Sequence, residues 1–205
     1  MPDEGEGVGN RLTEYIDNSQ SARQDRLDLL SAKESGSAFK GLVARHGGRL
    51  YRYIRSRISH RQTCEDLTQD VFLRLCSAAY NGKTSVKTWL FIIARNRVID
   101  FLRAESRRGC ESHAPEQFEF PQPHPSDPAR NLTREDEDRR IAAWLGKLPD
   151  EQAEAVRLRI IAGLSFAQTA EVLGCSVPTC KSRVRYALAK LKTIIEQDMN
   201  HELRA

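Results

Sequence analysis

The sequence lacks the marks of a membrane protein, a secreted protein or a common enzyme. No apolar run approaches the ~20 residues that a bilayer-spanning helix needs, the best being Trp89 to Ala94. The opening segment, MPDEGEGVGN, is acidic and glycine-rich, unlike a signal peptide. Neither a glycine-rich phosphate loop nor an HExxH motif is present. We therefore expect a soluble, cytoplasmic protein that is not an enzyme.

Paired cysteines are also lacking. The chain has five cysteines, an odd number, and no CxxC pair. This usage suits a reducing compartment and argues against a disulfide framework. Because Cys175 and Cys180 have no third ligand nearby, we interpret them as packing residues and predict no metal and no cofactor. An alternative zinc set, Cys110-x-x-His113 with His124, falls in a stretch without predicted structure.

Acidic residues are missing from two stretches that are rich in bases. Residues 35–64 contain seven Lys or Arg and no acid, and residues 181–192 contain five bases and again no acid. The first 34 residues reverse this balance, with eight acids against four bases. Two separated basic segments predict a polyanion partner, such as nucleic acid, that is touched at two places. Solvated helix faces are the alternative interpretation.

Hydrophobic periodicity predicts an all-α fold with two small helical domains, an N-terminal helix bundle and a C-terminal helix-turn-helix domain, joined by a flexible linker. Apolar residues recur at helical spacing over residues 36–106 and again over residues 140–197. Residues 107–139 hold five of the eight prolines and are predicted to be the linker, which would keep the two domains independent. We expect residues 1–35 to be a mobile acidic extension and 198–205 a tail.

Two short helices joined by a glycine turn are predicted near the C-terminus. Ser165 and Gln168 have the spacing of a capping box, and Gly174 ends the helix that they begin. Ser176 caps the next helix, with Pro178 in its first turn. The pair is a helix-turn-helix, whose second helix would enter a DNA major groove. The alternative is a plain helical hairpin with a solvated basic face.

The second of these helices is expected to present one face to the core and another to DNA. The face predicted to turn inward consists of Cys180, Val184 and Leu188. The side chains predicted to meet base edges are Lys181, Ser182, Arg185 and Tyr186. The side chains predicted to reach phosphates, which position a protein without specifying a sequence, are Thr179, Arg183 and Lys190.

Four segments carry a further pattern. They are DLTQDVFLRL (66–75), TWLFIIARNRVIDFLR (88–103), LPDEQAEAVRLRIIAGLSFAQTAEVLG (148–174) and SVPTCKSRVRYALAKLK (176–192). In this order, with a variable linker between the second and the third, they resemble the extracytoplasmic-function (ECF) group of bacterial RNA polymerase sigma factors. The chain departs from the family at Cys76, where the family often has Trp, and at Cys180, where it has Val or Ile. The acidic N-terminal extension is not part of the family pattern.

The resemblance implies a function in transcription initiation. The first domain would be sigma region 2, which binds core RNA polymerase and opens the −10 promoter element. The second would be sigma region 4, which reads the −35 element through its helix-turn-helix. The implied partners are core RNA polymerase, promoter DNA both as duplex and as melted single strand, and an anti-sigma factor that restrains activity. A two-domain repressor is the rival interpretation, and it would bind its operator without polymerase.

The resemblance also implies roles for individual residues. The face expected to dock on core polymerase consists of Asp66, Gln69, Asp70 and Arg74. Folding alone would not require the like charges of Asp66 and Asp70 on an exposed face. The loop residues expected to trap an unstacked base of the −10 element are Asn81, Lys83, Thr84 and Ser85, with Lys87 holding the strand. The following helix would contact duplex or phosphate through Arg95, Asn96, Arg97 and Arg103. Trp89 is expected to be core rather than a stacking platform.

Overall fold

The chain folds into α-helices. The computed structural model describes residues 20–32, 35–108 and 128–202, and within those ranges it contains eight α-helices and no strand. They are α1 (residues 20–31), α2 (Gly36–Arg55), α3 (Arg61–Ser77), α4 (Val86–Arg108), α5 (Pro128–Gly146), α6 (Asp150–Val156), α7 (Phe166–Leu173) and α8 (Val177–Glu202). The predicted all-α class is confirmed. Throughout these ranges, every helix is either too short or too polar to cross a bilayer.

The core of the first domain lies between α2, α3 and α4, which contact one another. On α2, Leu42, Leu50 and Ile54 are fully buried at one- and two-turn intervals, which places them on one face. The Tyr53 ring meets the Phe91 ring edge-on, with the centroids 5.6 Å apart. Phe91 is fully buried, and its helix α4 is contacted by α2, α3 and α7.

Residues 20–31 correct the prediction of a mobile extension, since they form α1 and pack against α2. The Asp25 carboxylate is 2% exposed and accepts hydrogen bonds from Arg45 Nε at 2.7 Å and His46 Nε2 at 2.8 Å. Asp28 accepts a second bond from Arg45 at 2.5 Å, and Leu29 is buried in the core. The acids of this segment are therefore partners for the bases of α2, a long-range pairing that helical periodicity does not reveal.

Helices also extend into the predicted linker. α4 continues to Arg108, and α5 begins at Pro128, well before the predicted domain boundary at residue 140. A proline suits this position because the first turn of a helix has no hydrogen-bond acceptor for its amides. The rest of the predicted linker, residues 109–127, lies outside the described residues.

The second domain packs α6 and α5 against α8. Its core consists of Leu145, Leu148, Ala153, Val156, Ala187 and Ile194. The prediction that Leu188 faces inward is wrong, because Leu188 is 46% exposed while Ala187 is fully buried. From Val184, helical spacing permits either the third or the fourth following residue to face the core. The close approach of α6 to α8 selects the smaller side chain.

The two domains pack against each other, which corrects the prediction of independent domains. After α6 the chain makes one π-helical turn (Arg157–Ile161) and then reverses at Gly163, where φ is +64°. This path carries Leu158, Ala162 and Leu164 into the core of the first domain, and Val172 of α7 joins them. Since this contact is between residues far apart in the chain, local sequence patterns do not predict it.

The charge of Asp25 makes the docking of α1 sensitive to acid. Burial alone would raise the pKa of this carboxyl, but the hydrogen bonds and charges of His46 and Arg45 outweigh burial and lower it. A carboxyl whose pKa is lower in the folded state stabilises that state above its unfolded pKa of about 4. The contribution is lost as the pH falls below that value and through the lower folded-state pKa.

We predict that Asp25→Asn weakens the docking of α1 on α2 by about 3 kcal/mol, because buried His46 loses its anionic partner and Arg45 keeps only Asp28. Amide hydrogen exchange of residues 20–31 measures the change. Asp28→Asn is the matched control and should cost less, since it leaves the buried Asp25 pair intact. Exchange rates in Asp25→Asn equal to those of the unaltered protein would show that the pair does not hold α1.

Candidate nucleic-acid interface

The helix-turn-helix is formed by α7 and α8. The predicted capping box is present in both directions: Gln168 N donates to Ser165 Oγ at 3.1 Å, and Ser165 N donates to Gln168 Oε1 at 2.9 Å. Gly174 ends α7 in the left-handed conformation, with φ +66°, which glycine adopts without strain. Ser176 Oγ then accepts from the backbone amide of Thr179 at 3.2 Å and so caps α8. These local bonds set the angle at which α8 leaves the turn.

The N-terminal half of α8 presents the side chains predicted to read bases. Lys181, Ser182, Arg185 and Tyr186 are all exposed. The Arg185 guanidinium lies 5.0 Å from the centroid of the Tyr186 ring, so the two side chains form one cationic and aromatic surface. On the opposite, inward face of α8, Cys180 and Val184 are buried as predicted. The exposed side chains therefore project from a helix that is anchored along its opposite face.

Two predicted phosphate contacts have partners inside the protein. Arg183 pairs with Glu151 of α6 at 2.5 Å, and its side chain is only 23% exposed. The Thr179 hydroxyl lies 2.8 Å from Ser176 Oγ, within the cap of α8. Arg183 thus links α8 to α6, and Thr179 contributes to the cap of α8.

The loop between α3 and α4 has a defined shape. Asn81 Oδ1 accepts from Lys83 N at 3.1 Å, and Gly82 takes a left-handed conformation with φ +73°. Ser85 Oγ accepts from Thr88 N at 3.1 Å and caps α4. Asn81 and Lys83 are exposed at the tip, while Thr84 and Ser85 are half-buried. The loop thus presents its polar tip to solvent and uses its last residues to begin α4.

Trp89 lies under this loop, as predicted for a core residue. It is half-buried against the core of the first domain, and its ring lies 5.0 Å from that of Tyr80. The Tyr80 hydroxyl donates to the Thr84 carbonyl oxygen across the loop. This aromatic pair supports the base of the loop from below.

The basic side chains of α4 contact the rest of the protein to different extents. Asn96 is exposed. Arg97 Nε donates to Asp70 Oδ2 of α3 at 2.5 Å, and Arg95 Nε lies 3.9 Å from Glu154 of the second domain. Lys87 Nζ donates to the Gly163 carbonyl oxygen at 2.6 Å. Three of the cations predicted to meet DNA are therefore engaged within the protein.

The Lys87 ammonium lies among other cations. Burial, and the neighbouring positive charges of Arg49 and Arg159, lower its pKa, while the negative charge of Asp25 opposes the shift. Arg159 is itself held by a hydrogen bond to the Leu164 carbonyl oxygen at 3.0 Å. This accumulation of positive charge is favourable for a polyanion at the seam between the domains.

The predicted polymerase-binding face of α3 needs one correction. Asp66, Gln69 and Arg74 are exposed, but Asp70 accepts hydrogen bonds from Arg74 at 2.9 Å and from Arg97 at 2.5 Å. Burial tends to raise the pKa of Asp70, and these two guanidinium groups outweigh it and lower the pKa. Asp70 therefore holds α3 to α4, so its charge does serve folding, contrary to the prediction.

Leu73 is a candidate contact that sequence analysis missed. It lies two turns after Asp66 on the exposed face of α3 and is 56% exposed. An exposed leucine among polar side chains is the composition expected at the centre of an interface rather than of a solvated face. Its spacing of seven residues from Asp66 was visible in the sequence and is the signal that would have found it.

Two cysteines, Cys64 and Cys180, are buried packing residues, while Cys76 and Cys175 are half-buried. Cys180 and Cys64 are fully buried, and burial raises the pKa of the Cys64 thiol to about 11 and also raises that of Cys180. No group of three or more metal-ligating side chains occurs among the described residues. The alternative set around Cys110 lies outside them.

Comparison with known proteins identifies the class of both domains. The family model for Sigma-70 region 2 matches residues 42–108, and that for Sigma-70, region 4, matches residues 138–191. The chain is thus a sigma-70-type transcription initiation factor.

Similarity to individual proteins defines the group more narrowly. The chain is 32% identical to the ECF RNA polymerase sigma factor SigC of Mycobacterium tuberculosis, over 84% of this chain and 91% of that protein. It is 31% identical to the RNA polymerase sigma factor CnrH of Cupriavidus metallidurans, over 85% of this chain and 95% of that protein. The chain belongs to the ECF group of sigma factors, and its α7–α8 unit is the DNA-binding helix-turn-helix of region 4.

Solved structures show the same fold. The structure of CnrH in complex with the cytosolic domain of CnrY is 30% identical in sequence, with a TM-score of 0.65 over 85% of this chain and 99% of that chain. The sigma factor RpoE of Bartonella quintana, solved with the anti-sigma factor NepR, is 24% identical, with a TM-score of 0.57 over 77% of this chain and 96% of that chain.

We predict that Cys180→Val leaves folding and promoter selectivity unchanged, because valine fills the same buried space without a polar atom. Thermal unfolding should shift by no more than the equivalent of about 1.5 kcal/mol. Cys180→Ser is the matched comparison and should be less stable, since it buries a hydroxyl. A stoichiometric metal that is present in the unaltered protein and lost on Cys180→Val would contradict the packing role.

Proposed function

We propose that this protein directs core RNA polymerase to promoters by holding the −35 and −10 elements at once and by opening the −10 region. One observation carries the proposal: an exposed basic recognition helix and a second, separate polar loop with adjacent cations occur on two helical domains of one chain. A repressor needs the first feature alone. Because sigma factors act on the chromosome, we place the protein in the cytoplasm.

The −35 element is read by α8 in this proposal. Its N-terminal half would enter the major groove, where Arg185 and Lys181 can donate to guanine O6 and N7. Ser182 and Tyr186 add a hydroxyl each beside them. Thr179 and Arg183 would act chiefly by fixing the helix, because their side chains are occupied by Ser176 and Glu151.

The −10 element is opened by the first domain. Asn81 and Lys83 at the exposed loop tip, with Thr84 and Ser85 behind them, would receive an unstacked base of the non-template strand. Lys87, Arg95, Asn96 and Arg97 would hold the strand and the adjoining duplex through phosphates. Unpairing a base costs a few kcal/mol, which contacts to the flipped base and the backbone must supply.

Core polymerase is bound by the exposed face of α3. Asp66, Gln69 and Arg74 supply polar contacts, and Leu73 supplies apolar area on the same face. Asp70 contributes indirectly, because its carboxylate holds the side chains of Arg74 and Arg97 in place. We further propose that a partner protein, an anti-sigma factor, restrains the chain. The CnrH relative, which was solved with the cytosolic domain of CnrY, supports this.

We predict that Arg185→Ala costs about 1–3 kcal/mol of holoenzyme binding to the cognate promoter, because a base contact in the major groove is lost. The affinity is measured on promoters with an intact and with a scrambled −35 element. Lys192→Ala, further along the same helix, removes a cation outside the recognition segment and serves as the control. An equal loss on the intact and the scrambled element would contradict base readout by Arg185.

Charge reversal by Asp66→Lys tests the polymerase face. Asp66 is chosen over Asp70 because Asp70 also bonds to α4. We expect core polymerase binding to weaken by about 2–5 kcal/mol, through faster dissociation, while circular dichroism and the affinity for −35 duplex stay unchanged. Asp100→Lys reverses an exposed acid on α4 and is the control. If folded Asp66→Lys captured purified core polymerase as well as the unaltered protein does, the proposed role of this face would be contradicted.

A further inference from the structure

The second domain covers part of the surface that opening of the −10 element needs. Lys87 Nζ is bonded to the Gly163 carbonyl oxygen at 2.6 Å, and Gln168 Nε2 donates to Ser85 Oγ at 3.3 Å. Gln168 belongs to the capping box of α7, so the bond ties the start of α7 to the start of α4. A DNA strand that used Ser85 and Lys87 would have to displace these contacts.

Glu154 of α6 lies at the centre of the same contact and is 6% exposed. Its carboxylate accepts hydrogen bonds from Tyr53 Oη at 2.5 Å and from Arg57 at 3.0 Å, both on the α2 side of the seam. Arg157 at 3.7 Å and Arg95 at 3.9 Å complete the surrounding positive charge. Removal of one carboxylate would leave several cations of both domains without their shared counter-charge, so the contact depends on Glu154.

The recognition helix is not part of this contact. Lys181, Ser182, Arg185 and Tyr186 of α8 are exposed in the closed arrangement, and the interdomain bonds come from α6, the residues after it and α7. The two DNA-binding surfaces are therefore unequally available: that for the −35 element is open, and that for the −10 element is partly covered.

We propose that the closed arrangement is a selective off state, in which Glu154 latches the second domain over the −10 surface while leaving the −35 surface free. This rests on the function proposed above. Free protein would bind a −35 duplex through α8 but would bind the −10 single strand only in the minor, opened population. Opening would then be a step that core polymerase has to drive during assembly.

Competition for the same cations gives the latch its mechanism. Lys87 donates to a carbonyl oxygen of the second domain, and Arg95 lies within ion-pair distance of the Glu154 carboxylate. In the opened protein both cations would face phosphates instead. Leu158 and Leu164 are fully buried in the seam, so opening also exposes apolar surface. A short single strand replaces the ionic contacts but not the apolar ones, which is why a large partner is needed to open the protein fully.

Glu154→Gln in the full chain is the direct test, because it removes the charge and keeps the shape of the side chain. Opening is followed by small-angle X-ray scattering, and binding by fluorescence anisotropy. The probes are a labelled −35 duplex and the labelled −10 non-template strand of a promoter selected from a random library by the full chain with core polymerase. We expect a larger radius of gyration and unchanged duplex binding. Binding of the single strand should tighten about 10-fold, as for a binding-competent fraction that rises tenfold.

Tyr53→Phe is a second variant, which weakens the same contact from the first domain. Because it leaves the second domain unaltered, misfolding of that domain cannot explain its effect. It removes the hydroxyl that donates to Glu154 and keeps the ring on Phe91. We expect a change in the same direction as for Glu154→Gln, but smaller. Glu171→Gln removes an equal charge from the exposed surface of α7, and Tyr51→Phe removes a hydroxyl elsewhere on α2. Both controls should bind as the unaltered protein does.

Three outcomes would overturn the latch. They are an unaltered protein that is already extended in solution, an opened Glu154→Gln protein with unchanged affinity for the single strand, and equal gains for the single strand and the −35 duplex. Failure of the function itself is seen separately, as the absence of promoter-specific transcription when the unaltered chain is added to core polymerase.

Discussion

The buried carboxylate of Glu154 is the contact on which the arrangement of the two domains depends. A carboxylate at 6% exposure is costly unless hydrogen-bond donors and opposite charges surround it. Here Tyr53 and Arg57 supply them from the other domain, at a separation along the chain of about 100 residues. The π-helical turn that follows α6 then carries Leu158 and Leu164 into the same seam. Polar and apolar contacts thus reinforce one another across the interface.

Several cations in this protein serve two purposes. Arg97 binds Asp70, Arg183 binds Glu151, and Lys87 binds the Gly163 carbonyl oxygen, although all three were expected to face nucleic acid. A cation that already has an intramolecular partner contributes to DNA binding only the difference in free energy between its contact with DNA and its contact within the protein. Such residues make the affinity for DNA depend on the conformation of the protein. The exposed side chains of α8 make none of the interdomain hydrogen bonds described above.

Local chemistry was predictable residue by residue. The capping box of Ser165 and Gln168, the left-handed turn at Gly174 and the cap at Ser176 each depend on side chains and backbone groups within a few residues. Contacts over longer distances were not. Leu188 and Ala187 both satisfy helical spacing from Val184, and only the approach of α6 decided which of them is buried.

The sequence by itself determined that the chain is helical, where the helix-turn-helix begins and turns, and which basic side chains lie outward on its second helix. These properties follow from periodicity, caps and glycine conformation, all of which act within one or two turns. Tertiary structure decided which cations are free, that residues 20–31 dock through Asp25, and that the second domain covers Ser85 and Lys87. The reason is physical: a charged side chain is satisfied by whichever partner the fold brings near, and that partner can lie anywhere in the chain.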